Sequence, residues 1–258
     1  SAFMEETQAA TDAQENNSSI RRPELGDLEF RAVKFRYPMQ EVDTLLDINV
    51  KINKGEKVAV LGRNGSGKTT LVKLASGLFG CSDGIVMYDG VDTKQIHNDD
   101  LSRSIGIVLQ DVQLFSGSII ENITMGREGI SQEDIVNAAK ITGLDDFLGK
   151  VPGGYEMVLQ DKGNGLSGGQ RQAIAITRAI VHKPSHFIFD EPTSAMDMNS
   201  EQYFIKNFQE TYEDSTLIVV SHRMPLVNLV DRIIVMSDGK IIDDGPRDEI
   251  IKKLQGQT

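Results

Sequence analysis

Val58-Ala59-Val60-Leu61-Gly62-Arg63-Asn64-Gly65-Ser66-Gly67-Lys68-Thr69 decides the fold. Its first four residues form a short continuous apolar run, the pattern of a strand buried on both faces. From Gly62 to Thr69 the residues match G-x-x-x-x-G-K-[ST] in full. Glycines let a backbone wrap a phosphate with its N–H groups pointing inward. A helix predicted from about Lys68 to Leu78 offers its positive end to the same anion, an interaction worth ~0.3–1 kcal/mol where exposed. Within this loop Gly62, Asn64, Gly65, Ser66, Gly67, Lys68, Thr69 and Thr70 are the candidate phosphate contacts. Lys68 is expected to reach the β- and γ-phosphates, and Thr69 to ligate a Mg²⁺ ion.

Working outward, Phe187-Ile188-Phe189-Asp190-Glu191 is an apolar strand that ends in two carboxylates. Next to a phosphate loop, Asp190 is placed to hold Mg²⁺ and Glu191 to act as general base on the attacking water. Further apolar strands are predicted at Gly84 to Tyr88, Ile105 to Leu109, Leu217 to Val220 and Ile233 to Val235. Leu28 to Phe35 and Leu46 to Ile52 alternate apolar and polar, as half-buried strands do. The stretch from 111 to 165 differs in texture. Ser131 to Asp134 reads as a helix start, Gly143 as a stop, and Asp145 to Leu148 as a second short helix. Gly168 to His182 is an amphipathic helix ended by Pro184, and Lys206 to Phe208 lies in another. The expected fold is α/β: a P-loop NTPase core with a mostly parallel sheet, a small antiparallel β subdomain and an inserted helical subdomain. Residues 1–19 are polar and expected to be a disordered tail or linker. Residues 20–258 are expected to form the folded domain, with 111–165 and the 166–182 helix as the helical subdomain.

Composition limits the function. The chain has 258 residues, 39% hydrophobic and 25% charged, with net charge −11. That charge excludes a general nucleic-acid binder, which needs a basic face. No apolar run approaches the roughly 18 residues of a membrane span. No signal peptide is visible. Cys81, the single cysteine, is read as structural. Asn17-Ser18-Ser19 and Asn122-Ile123-Thr124 match a glycosylation pattern by chance. Asp99-Asp100 and Asp243-Asp244 read as solvated turns. His97, His182 and His186 lack metal-ligand spacing.

Leu166-Ser167-Gly168-Gly169-Gln170 makes a second helix start suited to an anion, with Ser167 as cap. This pentapeptide, lying ahead of Asp190, resembles the signature motif of ABC ATPases. The resemblance extends over residues 26 to 252. It implies that Tyr37 stacks on adenine, and that Gln110 senses Mg²⁺, the water and the membrane domain. Ser194-Ala195-Met196-Asp197 resembles the loop that crosses to a partner subunit, and His222 the histidine on the γ-phosphate. ATP and Mg²⁺ are the implied cofactors. Two copies are expected to pair head to tail, each ATP lying between Lys68 of one copy and Ser167, Gly168, Gly169 and Gln170 of the other.

Arg22-Pro23-Glu24-Leu25-Gly26-Asp27-Leu28-Glu29-Phe30, Gly165 to Gln172, and Leu229 to Val235 followed by Asp244 to Glu249 resemble the exporter branch, above all bacterial type I secretion transporters. That implies a transmembrane domain on the same transporter, a place on the cytoplasmic face of the inner membrane, and a protein, toxin or peptide substrate. Two departures stand out. Gln160 to Gly165 lacks the glutamate frequent there, with Asp161 as a substitute, and Met196 replaces the common leucine. The alternatives are a soluble ABC ATPase without a transport role, or a nucleotide-gated module without turnover. Long coiled coils and basic arms, which would favour the first, are missing. Intact Glu191 and His222 argue against the second.

Overall fold

The computed structural model describes residues 20–21, 24–160 and 163–256. The expected tail at 1–19 and the substitute Asp161 lie outside the described residues. In chain order the elements begin with β1 (Leu28–Phe35), β2 (Leu45–Ile52), β3 (Lys57–Gly62), α1 (Lys68–Ala75), β4 (Asp83–Tyr88) and β5 (Val91–Asp92). There follow α2 (Asn98–Ser104), β6 (Ile105–Val108), β7 (Gly117–Ser118), α3 (Ile119–Thr124), α4 (Gln132–Thr142), α5 (Leu144–Leu148) and β8 (Val158–Leu159). The last part holds α6 (Gly168–Ile180), β9 (His186–Asp190), α7 (Met198–Thr211), β10 (Thr216–Val220), α8 (Met224–Val227), β11 (Arg232–Ser237), β12 (Lys240–Pro246) and α9 (Arg247–Gln255).

The main sheet runs β12-β11-β3-β10-β9-β6. Every pairing within it is parallel except β11 with β12. A second, antiparallel sheet runs β2-β1-β4-β5. Successive side chains of a strand point to opposite faces, so the central strands feed two cores. Ala59, Phe187 and Phe189 face one core, which also takes in α3 to α6 and Phe204 and Phe208 of α7. Val58, Val60 and Ile188 face the other, shared with the antiparallel sheet and α1. This arrangement puts the C-terminal ends of β3, β9 and β10 side by side, and their following loops carry the candidate catalytic residues.

The helix starts follow local chemistry. Ser118 with Glu121, Ser131 with Asp134, and Ser167 with Gln170 each form reciprocal capping boxes. Gly143 ends α4 with φ 74°, as its reading as a stop requires. Helix α1 is shorter than expected, because the chain turns at Ser76 and at Gly77, where φ is 74°.

Two readings need correcting. Asp243 and Asp244 lie not in a turn but in β12, the outer strand of the main sheet. There Asp244 pairs with Arg232 at 2.7 Å and Asp243 with Lys253 at 2.8 Å. An outer strand that carries charges among its half-exposed residues guards its edge and imitates a polar turn in sequence. Asp99 and Asp100 open α2, where carboxylates favour the positive helix end. Asp100 is buried and pairs with Arg21 at 3.3 Å.

Candidate functional site

The loop between β3 and α1 wraps a cavity of about 320 Å³ lined by Asn64, Gly65, Gly67, Lys68, Thr69 and Thr70, together with Gln110, Asp190 and Glu191. Thus nine of the proposed site residues, read from three separate stretches of sequence, meet in one place. The loop depends on its glycines at specific points. Gly67 caps α1 with φ 101°, a conformation open to glycine and strained for other residues. A Cβ on Gly62 would lie 2.3 Å from the Met236 carbonyl oxygen, so β11 leaves no room for a side chain there.

Lys68 Nζ donates to the carbonyl oxygens of Gly62 and Arg63 at 2.8 and 2.9 Å, which folds its ammonium back over the loop. Thr69 Oγ1 donates to Asp190 Oδ2 at 2.6 Å. Burial pushes the Asp190 carboxyl above the ordinary aspartate range, the neighbouring Glu191 charge adds to this, and the Thr69 bond and Lys68 oppose it. Thr69, Asp190 and Gln110 form an all-oxygen donor set at the cavity, suited to a hard divalent cation that also takes phosphate oxygens and water. Ser66 is buried, and its Oγ has no hydrogen-bond partner among the described residues.

Glu191 follows β9 with φ 49°, a left-handed conformation that costs free energy in a non-glycine residue. Its carboxylate is held on both oxygens. Oε1 lies 2.9 Å from His222 Nδ1, and Oε2 accepts from Ser221 Oγ at 3.1 Å. The His222 side chain is 86% exposed, against 15% for Glu191, so the imidazole reaches outward from a seated acid. Tyr37 does not line the cavity. Its hydroxyl is 3.0 Å from Thr70 Oγ1, and its ring packs edge-on against Phe35 and Phe79.

Ser167, Gly169 and Gln170 line a separate cavity of about 270 Å³ at the start of α6, with Met196 and Asp197. The two cavities share no lining residue. Gly168 is turned away, packed on Ala195. Thr44 and Ser221 escaped sequence reasoning: neither belongs to a short-range pattern, and each arrives through strand pairing. Gln172, Glu201 and Arg223 escaped it too, because helix packing and a loop bring them together from positions far apart in sequence.

A parallel sheet with a phosphate loop after one strand and paired acids after another defines a P-loop nucleotide hydrolase. Residues 45–194 match the ABC transporter family model. The chain is 41% identical over 242 residues to a leukotoxin export ATP-binding protein of Aggregatibacter actinomycetemcomitans, covering 93% of this chain and 34% of that one. Against the alpha-hemolysin translocation ATP-binding protein of Escherichia coli it is 42% identical over 238 residues, 92% of this chain and 34% of that one. The structure of a bacterial Atm1-family ABC exporter with ATP bound superposes with TM-score 0.86 at 29% identity, covering 92% of this chain and 42% of that one. The chain belongs to the ABC transporter family and is its ATP-binding, ATPase part. It spans about a third of the length of these relatives. Among the described residues no helix is long and apolar enough to cross a membrane.

Proposed function

We propose that this chain hydrolyses MgATP to drive export through a transmembrane domain, working as a head-to-tail pair of copies on the cytoplasmic face of a membrane. The observation that carries the pairing is the separation of the two cavities. One is lined by Lys68, Asp190 and Glu191; the other, beside the signature turn, is lined by no lysine or arginine among the described residues. The second can complete a phosphate cage that the first begins, and within one chain the two share no residue. Residues 20–258 act as one ATPase domain in this reading, with 111–165 and 166–182 as its helical arm. The relatives' names support a protein toxin or a peptide as the exported substrate.

The chemistry follows from the side chains. Water attacks the γ-phosphorus in line; the new O–P bond forms as the bond to the β-phosphate oxygen breaks, giving ADP and phosphate. Glu191 takes the proton from water. The loop N–H groups stabilise the oxygens where charge builds up, and Lys68 joins them by exchanging its bonds to the Gly62 and Arg63 carbonyl oxygens for phosphate oxygens. Thr69, Asp190 and Gln110 would hold Mg²⁺, which when bound neutralises phosphate charge. His222, held against Glu191 Oε1, contacts the γ-phosphate in this reading, and the partner copy supplies a signature turn. Tyr37, tied to the cavity through its hydroxyl contact with Thr70, stacks on adenine in this reading.

The test is ATPase rate against protein concentration, for the native chain and for Glu191→Gln. The expected rate per molecule rises with concentration, and falls by about 10²–10⁴-fold in the variant. A concentration-independent rate that survives the substitution would end both the pairing and the assignment of the base.

A further inference from the structure

The loop from Glu191 to Asp197 is gripped from two sides. On one side lies α6. A Cβ on Gly168 would lie 2.9 Å from Ala195 Cβ, and one on Gly169 3.2 Å from the Ala195 carbonyl oxygen. The signature glycines therefore let the chain's own loop close up against the helix start. One turn further along, Gln172 is 4% exposed. Its Oε1 accepts from the Ala195 N–H at 2.8 Å. Its Nε2 donates to Ser194 Oγ at 2.8 Å and, at a longer 3.3 Å, to the carbonyl oxygen of Glu191.

On the other side lies Arg223, the residue after His222. Its Nη1 donates to the Thr193 carbonyl oxygen at 2.6 Å, and its Nη2 pairs with Glu201 at 2.8 Å. Glu201, in the first turn of α7, is 1% exposed and also accepts from Thr193 Oγ1 at 2.5 Å. Burying such a pair is a poor way to gain stability, because desolvation offsets the attraction. A buried amide and an ion pair whose carboxylate is buried, with hydrogen bonds satisfied, do fix a single arrangement, the Arg223 side chain being 27% exposed.

We propose that Gln172, Arg223 and Glu201 are positioning residues that join the signature turn, the loop 191–197 and His222 into one rigid unit. Neither Gln172 nor the Arg223–Glu201 pair lines the phosphate cavity, and their bonds go to the loop and to each other. They couple the base and the γ-phosphate contact of a copy's own ATP to the turn that this copy lends to its partner. This rests on the reading of Glu191 as base and of the signature turn as the partner's contact.

The experiment compares kcat and KM for ATP in Gln172→Met, Arg223→Lys and the double variant, with nucleotide affinity and Tm measured alongside. Methionine keeps the length of Gln172 and removes its bonds; lysine keeps the Arg223 charge and loses its fork. Each single variant is expected to lower kcat about tenfold or more, as displaced catalytic groups do, with KM and nucleotide affinity within about twofold. In the double variant the kcat losses should be markedly less than multiplicative while the Tm shifts add, which a purely structural role would not produce. If either variant unfolds, the other carries the comparison. A kcat within about twofold of native, or a KM rise that accounts for the whole loss, overturns the inference. The native chain and Glu191→Gln run as controls: a native rate untouched by Glu191→Gln counts against the reading beneath the inference.

Discussion

Two helices of this chain begin with a glycine-rich turn aimed at a cavity, and they are built differently. The helix after Gly67 starts on a buried strand and gathers a lysine, two carboxylates and a threonine around its open N–H groups. The helix after Ser167 satisfies its own end. Ser167 Oγ accepts from the Gln170 N–H at 3.2 Å, and Gln170 Oε1 accepts from the Ser167 N–H at 2.8 Å. The first turn is equipped to hold and cut a phosphate anhydride. The second, whose cavity is lined by no basic side chain among the described residues, offers a hydroxyl, remaining backbone N–H groups and the helix dipole, while Arg171 Nη1 is turned to the Leu166 carbonyl oxygen at 2.6 Å. On the pairing proposed above, a site divided this way would bring two copies together through the nucleotide.

The sharpest way to break that comparison is to disable each turn separately. Lys68→Ala removes the cation of the first turn and leaves the second intact. Turnover is expected to fall by more than about 100-fold, as when charge stabilisation of a transition state is lost. ATP affinity should weaken as well, by about ten- to a hundredfold, the worth of charged hydrogen bonds of roughly 1.5–3 kcal/mol. Steady-state kinetics and equilibrium binding of a fluorescent ATP analogue would measure the two. Unchanged affinity would move the binding function away from the first turn.

Gly168→Ala probes the other side. The added Cβ would meet Ala195 Cβ at 2.9 Å and push the signature turn off its loop. Alanine is the better helix former, so thermal stability should change little. ATP affinity of the single chain should hold, while kcat falls between about 10- and 100-fold from misplacement. Ala195→Gly in the same chain should restore part of the loss. A matching fall in affinity would show that the two turns do not divide the work.

The difference between the turns also explains what could be read in advance. Phosphate-loop chemistry is carried by residue types at short fixed spacing, so Gly62 to Thr69, Asp190 and Glu191 were legible, as were the strands feeding them. The signature turn was legible as a pattern. Its packing was not: Gly168 reads as space for a ligand, and the structure puts Ala195 there. Gln172, Arg223 and Glu201 look like ordinary surface polar residues of two helices and a loop, and only the tertiary fold makes them partners. The outer strand β12 was hidden because its charges are satisfied by Arg232 and Lys253, which sit on neighbouring elements.

The smallest expected effect comes from the residues just beyond the far end of the signature helix, and it separates stability from nucleotide chemistry. Burial, with the charge of Arg127 adding to it, holds the His182 ring down at about 4. Its Nδ1 lies 3.3 Å from Arg127 Nη1. A histidine depressed in this way is neutral in the folded chain while the unfolded chain, near 6.5, takes up a proton. Stability is therefore full above about pH 6.5, declines as pH falls, and stops declining below the folded value near 4. At 1.36 kcal/mol per unit over about 2.5 units the loss is at most about 3.4 kcal/mol, and solvent around the partly exposed ring reduces it. His182→Gln cannot take up that proton, so its denaturation midpoint should fall less steeply than that of the native chain between pH 6.5 and 4. Affinity for ATP at pH 7 should be the same in both, because His182 lines neither the phosphate cavity nor the signature cavity. Parallel pH profiles for the two proteins would mean that His182 already carries its proton, and that the Arg127 contact is too loose to set its charge.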